Sequence, residues 1–226
     1  MLLPPSDKPT VVLGLEVLDN LPHDKVRSRP SRAIEQAEIQ QSRQNPEVLE
    51  EIFAPLSDVL LSRVLNVVPS YVQAHPTWVP TVACGMLECI GNQRPNSSIV
   101  LADFDWLPAP ELSSASISAR LSTWAEGEPI VTDMDGVDHC CYLTSPRYCD
   151  ILFPTDFEKL ASFVKRTRKG SESFETILHV EKQAEFLERY GKEQVMATKS
   201  WLTGHTPLLH DFTNCSVLTV TTRRKK

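Results

Sequence analysis

Glycine is scarce in this sequence. Eight glycines in 226 residues is about half the usual share of roughly 7%. They stand at positions 14, 85, 91, 127, 136, 170, 191 and 204, and no two are closer than six positions. That spacing excludes any GxGxxG or GxxxxGK loop, so the chain does not cradle a nucleotide on a glycine-rich turn of its own. A basic surplus is also lacking. Lys and Arg total 23 against 29 Asp and Glu, a formal net charge of −6, which argues against a dedicated nucleic-acid binder. No apolar run reaches the roughly 18 to 20 residues that a membrane span needs. The opening MLLPPSDKPT lacks the basic region and apolar core of a secretory signal, and it is not an Arg-rich amphipathic transit peptide.

CxxC pairs are missing too. The six cysteines are Cys84, Cys89, Cys140, Cys141, Cys149 and Cys215. With no secretory signal, they point to a reducing compartment and to free thiols rather than a disulfide framework. His139, Cys140, Cys141 and Cys149 invite a zinc reading. Their spacing matches no common ligand pair, however, and neighbouring side chains on a strand point to opposite faces. No metal is expected.

What is present is an ordinary globular mixture, 41% hydrophobic and 23% charged, with 17 prolines. A chain this long can bury roughly 70% of its unfolded surface. No repeat or low-complexity linker divides it, so one domain is expected.

Short apolar runs ending in acid or proline predict strands over 9–16, 98–104, 149–153 and 215–222. Such runs suit strands buried on both faces of a parallel sheet. Between them the pattern predicts helices. One starts at Ser57-Asp58 and runs to about Tyr71, with Val59, Leu60, Val64, Leu65 and Val68 on one face. A second covers Thr81 to about Gln93, burying Cys84, Leu87 and Ile90. A third, capped by Thr155 or Asp156, covers 157–167 with Leu160, Phe163 and Val164 inward. A fourth covers 181–200, with Phe186, Leu187, Tyr190 and Val195 apolar. The alternation implies an α/β domain with a largely parallel sheet. Residues 125–146 carry a hairpin signal about Asp135-Gly136, with Pro129 to Val131 and Cys141 to Leu143 as its arms. Residues 32–54 fit either a helix by propensity or a strand by alternation, and Pro110 to Ser122 reads as a surface loop.

Open α/β sheets bind ligands beyond the carboxyl ends of their strands. Those ends carry Glu16, Asp19 and Asn20; Asp103, Asp105 and Trp106; and Pro154 to Asp156. Four core strands is few, and the first begins nine residues into the chain, leaving an apolar sheet edge open. Either another subunit supplies the neighbouring strands or the sequence is the C-terminal portion of a longer protein.

Several segments then resemble one family. VVLGLEVLDNLPHDKV (11–26) is similar to the E-x-x-D-[AN]-[LF]-P segment of the MidA-like methyltransferases, the family of a mitochondrial complex I assembly factor. SSIVLADFDWLP (97–108) resembles their [SA]-D-F-x-x-L-P strand, and CDILFPTDFEKL (149–160) their D-I-x-F-P-T-[DN]-F segment. WVPT (78–81), FLERYG (186–191) and TPLLHDFTNCSVLTV (206–220) also fit, in order, over nearly the whole chain. The resemblance favours a hairpin around 33–54. It implies the C-terminal half of a Rossmann-like class I methyltransferase sheet with an inserted hairpin region, S-adenosyl-L-methionine as cofactor, and symmetric protein arginine methylation in the mitochondrial matrix. The partner it implies is a respiratory complex I subunit, methylated during assembly. The family's glycine-rich first motif and its ribose-binding acid lie upstream of the E-x-x-D segment. The glycine spacing shows that they are absent here, so most of the cofactor site is missing.

On that resemblance, Glu16 and Asp19 are the candidate catalytic carboxylates. Arginine is a poor nucleophile with a pKa above about 12, and a carboxylate pair can hold its guanidinium by bidentate hydrogen bonds. The plainer alternative is that both acids cap the following segment. Asn20 and Pro22 shape the loop under the methyl donor, or merely the turn. His23 could accept a proton or lie on the surface. Asp103 and Asp105 are candidates for the substrate side, Trp106 for a packing lid rather than a substrate platform, and Phe153 to Asp156 for a helix cap or, alternatively, a place in the pocket. The tail Arg223 to Lys226 reads as a solvated end. A rival reading is a non-catalytic interaction protein that binds a partner through the open sheet edge.

Overall fold

The computed structural model describes residues 4–31, 33–110, 127–139, 141–145, 148–168 and 174–224. In chain order the elements are β1 (Thr10–Leu15), β2 (Asp24–Ser28), β3 (Ile34–Gln41), β4 (Leu49–Pro55), α1 (Val59–Val67) with a 3-10 turn (Pro69–Tyr71), β5 (Thr77–Val79), α2 (Thr81–Gln93) and β6 (Ser97–Phe104). They continue with β7 (Ile130–Thr132), β8 (Asp138–His139), β9 (Asp150–Leu152), α3 (Phe157–Thr167), β10 (Phe174–Lys182), α4 (Gln183–Tyr190), α5 (Lys192–Ala197), α6 (Pro207–His210) and β11 (Cys215–Arg224). The architecture is mixed α/β, in two compact units. One comprises Met1–Val17, Met86–Trp106 and Thr155–Lys226; the other comprises Leu18–Gly85 and Leu107–Pro154. None of the helices among the described residues is long and apolar enough to cross a membrane.

The first unit is built on a four-stranded sheet in the order β1-β6-β11-β10. β1 and β6 run parallel, with Leu13 opposite Val100. β11 is antiparallel to both of its neighbours. At Gly14 the strands come close enough that an added Cβ would meet Leu101 Cδ2 at 2.8 Å. Ile99, Leu101, Leu218 and Val220 are buried on the sheet, and Leu160, Phe163 and Val164 on α3. α3 packs on β10 and β11. Its start is set by Asp156, whose carboxylate accepts from the Lys159 amide at 3.0 Å.

The second unit holds an antiparallel sheet in the order β4-β3-β2-β5 and a small sheet β8-β7-β9. The β3–β4 hairpin pairs Ala37 with Phe53 and Ile39 with Glu51, which is the arrangement expected over 33–54. Asp58 caps α1 by accepting from the Leu61 amide at 2.7 Å. Gln36 Oε1 accepts from the amides of Ser57 and Asp58 at 2.9 and 3.0 Å. Helix entry and strand β3 are thereby tied together.

The sequence expectations need correction in several places. The sheet is not largely parallel, because among the described residues only β1 and β6 pair that way. An apolar run reports burial, not strand direction. β1 is a border strand rather than one buried on both faces. Val11, Leu13 and Leu15 are 78%, 65% and 58% exposed, since no described element covers that face of β1. Residues 149–153 do form a strand, but it pairs with β7 in the small sheet instead of joining the main one. Strands 24–28, 77–79 and 174–182 were not expected. The helix placed over 181–200 begins only at Gln183 and breaks at Gly191. The Asp135-Gly136 turn is present, with Gly136 at φ 75, the left-handed region that glycine enters without strain. Its second arm is Asp138–His139 rather than 141–143. α1 stops at Val67, and Val59 faces solvent at 83% exposure. The loop expected over 110–122, for all but Pro110, lies outside the described residues, as do Cys140 and the last two residues of the basic tail.

Candidate functional site

The carboxyl end of β1 is conformationally unusual. Glu16 has φ 50 and is the only non-glycine residue with positive φ among the described residues. Its amide donates to the Ala102 carbonyl at 2.9 Å, which carries the parallel ladder one step past β1. The side chain is exposed. A left-handed Glu costs of order 1 kcal/mol and persists only where its surroundings impose it. Glu16 belongs to the first unit, as do Asp103 and Asp105. Asp103 is buried at the end of β6, where Oδ1 accepts from the Phe104 amide at 2.8 Å. Asp105 accepts from Lys182 Nζ and Ser216 Oγ through Oδ2. Nearby, burial, with the charges of Asp103 and Asp105 adding to it, pushes the Cys215 thiol up to about 11. The remaining unit holds Asp19, Asn20, Pro22 and His23. Asp19 is buried; Asn20 Nδ2 donates to its Oδ1 at 2.7 Å, and its carbonyl accepts from the Phe153 amide at 3.0 Å. Trp106 is 45% exposed.

A cavity of about 510 Å³ opens in the second unit. One wall is the β4-β3-β2-β5 sheet, which presents Trp78 opposite Lys25 and Ile39 opposite Glu51. The other is built from Asn20 to His23, Tyr142, and Cys149 to Ile151 with Phe153. Of the residues singled out from the sequence, this cavity gathers Asn20, Pro22, His23, Cys149 and Phe153. Lys25, Glu51, Trp78 and Tyr142 were not anticipated. They come from separate strands and a loop, and no spacing in the sequence links them.

Aromatic rings and charge share the cavity. Trp78 lies 5.6 Å from Tyr142, edge to face, and 5.0 Å from Phe153. The Trp78 indole N–H donates to Glu128 at 3.0 Å, which fixes the ring. Lys25 Nζ stands 5.1 Å from the Trp78 centroid and 5.9 Å from that of Tyr142, within cation–π range. It also donates to Glu51 at 3.3 Å, and the Tyr142 hydroxyl donates to the same carboxylate. Burial, reinforced by that bond to Glu51, raises the Tyr142 pKa. Burial raises the Cys149 thiol, with the charges of Asp133 and Asp150 adding to it.

His23 has a defined protonation state. Its ring stacks on Phe153 at 4.3 Å, and Nδ1 lies 2.8 Å from the Leu21 carbonyl. A carbonyl only accepts, so Nδ1 carries the hydrogen. Burial drives the pKa down to about 4, against the opposing pull of that hydrogen bond. The ring is therefore neutral at physiological pH, and Nε2, buried and without a hydrogen-bond partner, is a lone-pair acceptor. Asp24 beside it is raised by burial, although Thr81 donates to it. With His23 neutral, the lining carries three carboxylates, Asp24, Glu51 and Asp150, against the single ammonium of Lys25. Such a cavity suits a flat organic cation.

A mixed α/β chain with an acid-tipped parallel strand pair and this acidic, aromatic cavity is consistent with a group-transfer enzyme. Residues 2–174 match the family described as "Putative S-adenosyl-L-methionine-dependent methyltransferase". The chain belongs to this family, whose methyl donor is S-adenosyl-L-methionine. Two crystal structures from Burkholderia thailandensis share the fold. One, bound to S-adenosyl-homocysteine, is 15% identical with a TM-score of 0.61, over 97% of this chain and 55% of that one. The other, a native structure of an uncharacterized protein of the same superfamily, is 15% identical with a TM-score of 0.64, over 96% and 56%. The chain thus spans about half the length of the solved structures it matches. No curated protein matches it.

The donor itself does not fit the residues at hand. The glycine spacing provides no glycine-rich turn, and among the described residues β1 has no strand on its outer edge. The chain contributes acids at the tip of β1 and a cation-compatible cavity, but not a complete cradle for the donor.

Proposed function

We propose that this protein is the substrate-side portion of an S-adenosyl-L-methionine-dependent methyltransferase. Its substrate is arginine in a protein, modified symmetrically, in the mitochondrial matrix during assembly of respiratory complex I. On this reading the β1-β6-β11-β10 sheet is the second half of a Rossmann-like class I sheet, and the β3–β4 hairpin region is its insertion. The observation that carries the proposal is Glu16. It is an acid held at φ 50 at the end of a parallel strand, within an E-x-x-D segment and inside the residues that match the methyltransferase family. Strained residues concentrate at functional sites. In the first unit Glu16 is the catalytic acid and Asp103 and Asp105 serve the substrate; in the second, Asp19 is a further candidate acid, its carboxylate held by Asn20.

A second reading has its own support. The exposed Val11, Leu13 and Leu15 lie on a strand whose outer edge pairs with none of the described residues, the form of a surface that receives a partner. On that reading the protein is a non-catalytic interaction protein. Labelled methyl transfer to an arginine peptide separates the two. It is measured with the 226-residue chain and with a longer form that includes the sequence encoded upstream of Met1. The longer form is expected to transfer label, and Glu16→Gln with Asp19→Asn to reduce it by about 100-fold or more, the scale of a lost orienting contact. No transfer by the longer form favours the interaction protein.

A further inference from the structure

We propose that the aromatic and acidic cavity of the second unit is a guanidinium-recognition site that the protein's own Lys25 fills in the free state and yields to an incoming arginine side chain. The choice of ligand rests on the function proposed above; the self-occupied cage does not.

Lys25 Nζ lies over Trp78 and Tyr142 and donates to Glu51. The Lys25 and Glu51 side chains are only 14% and 17% exposed. This is how a cation is bound: ring faces supply the quadrupole and a carboxylate supplies the countercharge. Lysine is the weaker occupant of such a site. Its ammonium is a compact, strongly hydrated charge, whereas a guanidinium is planar, less hydrated, stacks on rings and meets a carboxylate with two parallel N–H bonds. Glu51 has both oxygens within 3.4 Å of Nζ, so Lys25 uses a two-oxygen acceptor without matching its fork. A second acceptor is waiting. His23 Nε2 is buried, neutral and unpartnered in the same cavity lining. A guanidinium has N–H donors to spare for it; a quaternary ammonium has none. Asp24 and Asp150 keep the lining negative after one cation is bound, so entry of a second is not opposed by net charge.

The test is calorimetric titration of the 226-residue chain with a blocked arginine peptide, and with tetramethylammonium for comparison. No methyl donor is present, so binding and methyl transfer are read separately, and the failure of either is distinguishable from the failure of the other. Lys25→Met keeps the stem and removes the competing charge, so it is expected to tighten peptide binding about tenfold. Glu51→Gln is expected to abolish binding, as is Trp78→Leu, while Trp78→Phe keeps most of it. Circular dichroism confirms that each variant is folded. If Lys25→Met binds the peptide no better than the unmodified chain, or less well, Lys25 is not a placeholder and the proposal fails. If tetramethylammonium binds as tightly as the peptide, the site does not read a guanidinium and the proposal equally fails.

Discussion

His23 shows how burial decides the chemistry of one side chain. The histidine in Leu21-Pro22-His23-Asp24 has an unperturbed pKa near 6.5. In the fold, burial lowers it to about 4. The unfolded chain therefore takes up the proton near pH 6.5 and the folded one only near 4, so in that window the unfolded state binds more protons. The His23 contribution to stability is fully present above pH 6.5 and is lost as the pH falls toward 4; the loss is about 3 kcal/mol at most. His23→Phe, which keeps the stack on Phe153, is expected to flatten the denaturation midpoint over this window. Urea titrations at several pH values check this; an unchanged slope would show that the ring is not held neutral. Asp19 and Asn20 carry the same lesson. Their types suggested either a functional loop or simple turn chemistry, and only the 2.7 Å contact between them shows one carboxylate oxygen already engaged.

The starts of α1 and α3 were readable because their signals are local. Asp58 and Asp156 each accept from the amide three residues on, as Ser-Asp and Thr-Asp ahead of apolar periodicity imply. Asp156→Ala is expected to cost about 1 kcal/mol, measured as a lowered chemical denaturation midpoint with α3 otherwise intact. β10 was missed for the opposite reason. Its FETILHVEK sequence mixes charge and branched residues and stands beside a run of good helix formers. It becomes a strand because nine residues pair along β11, from Phe174 with Arg224 to Lys182 with Ser216. That partner lies more than thirty positions away, beyond any local window. β9 is comparable: its strand character was visible, but its partner β7 was not.

For the whole molecule, the informative feature is the mismatch between family and composition. The chain belongs to a methyltransferase family whose model matches residues 2–174, yet it carries only eight widely spaced glycines. Calorimetry of the 226-residue chain with S-adenosyl-L-methionine is accordingly expected to show no binding at micromolar concentration. Micromolar affinity would mean that these residues build a donor site without a glycine-rich turn. The division into two compact units was not visible either, since no linker composition marks it and each unit draws on separated stretches of chain.

The sequence by itself determined where α1, α2 and α3 begin, which runs are apolar enough to become strands, the absence of a glycine-rich turn, and the motif order that points to the methyltransferase family. These depend on residue type and on neighbours within a few positions. Only the tertiary structure decided strand direction, the pairing of β9 and β10, and the meeting of His23, Lys25, Glu51, Trp78 and Tyr142 around one cavity. Each of those depends on pairing and packing between residues far apart in the chain, where burial and an opposing charge, rather than residue type, set the chemistry of a side chain.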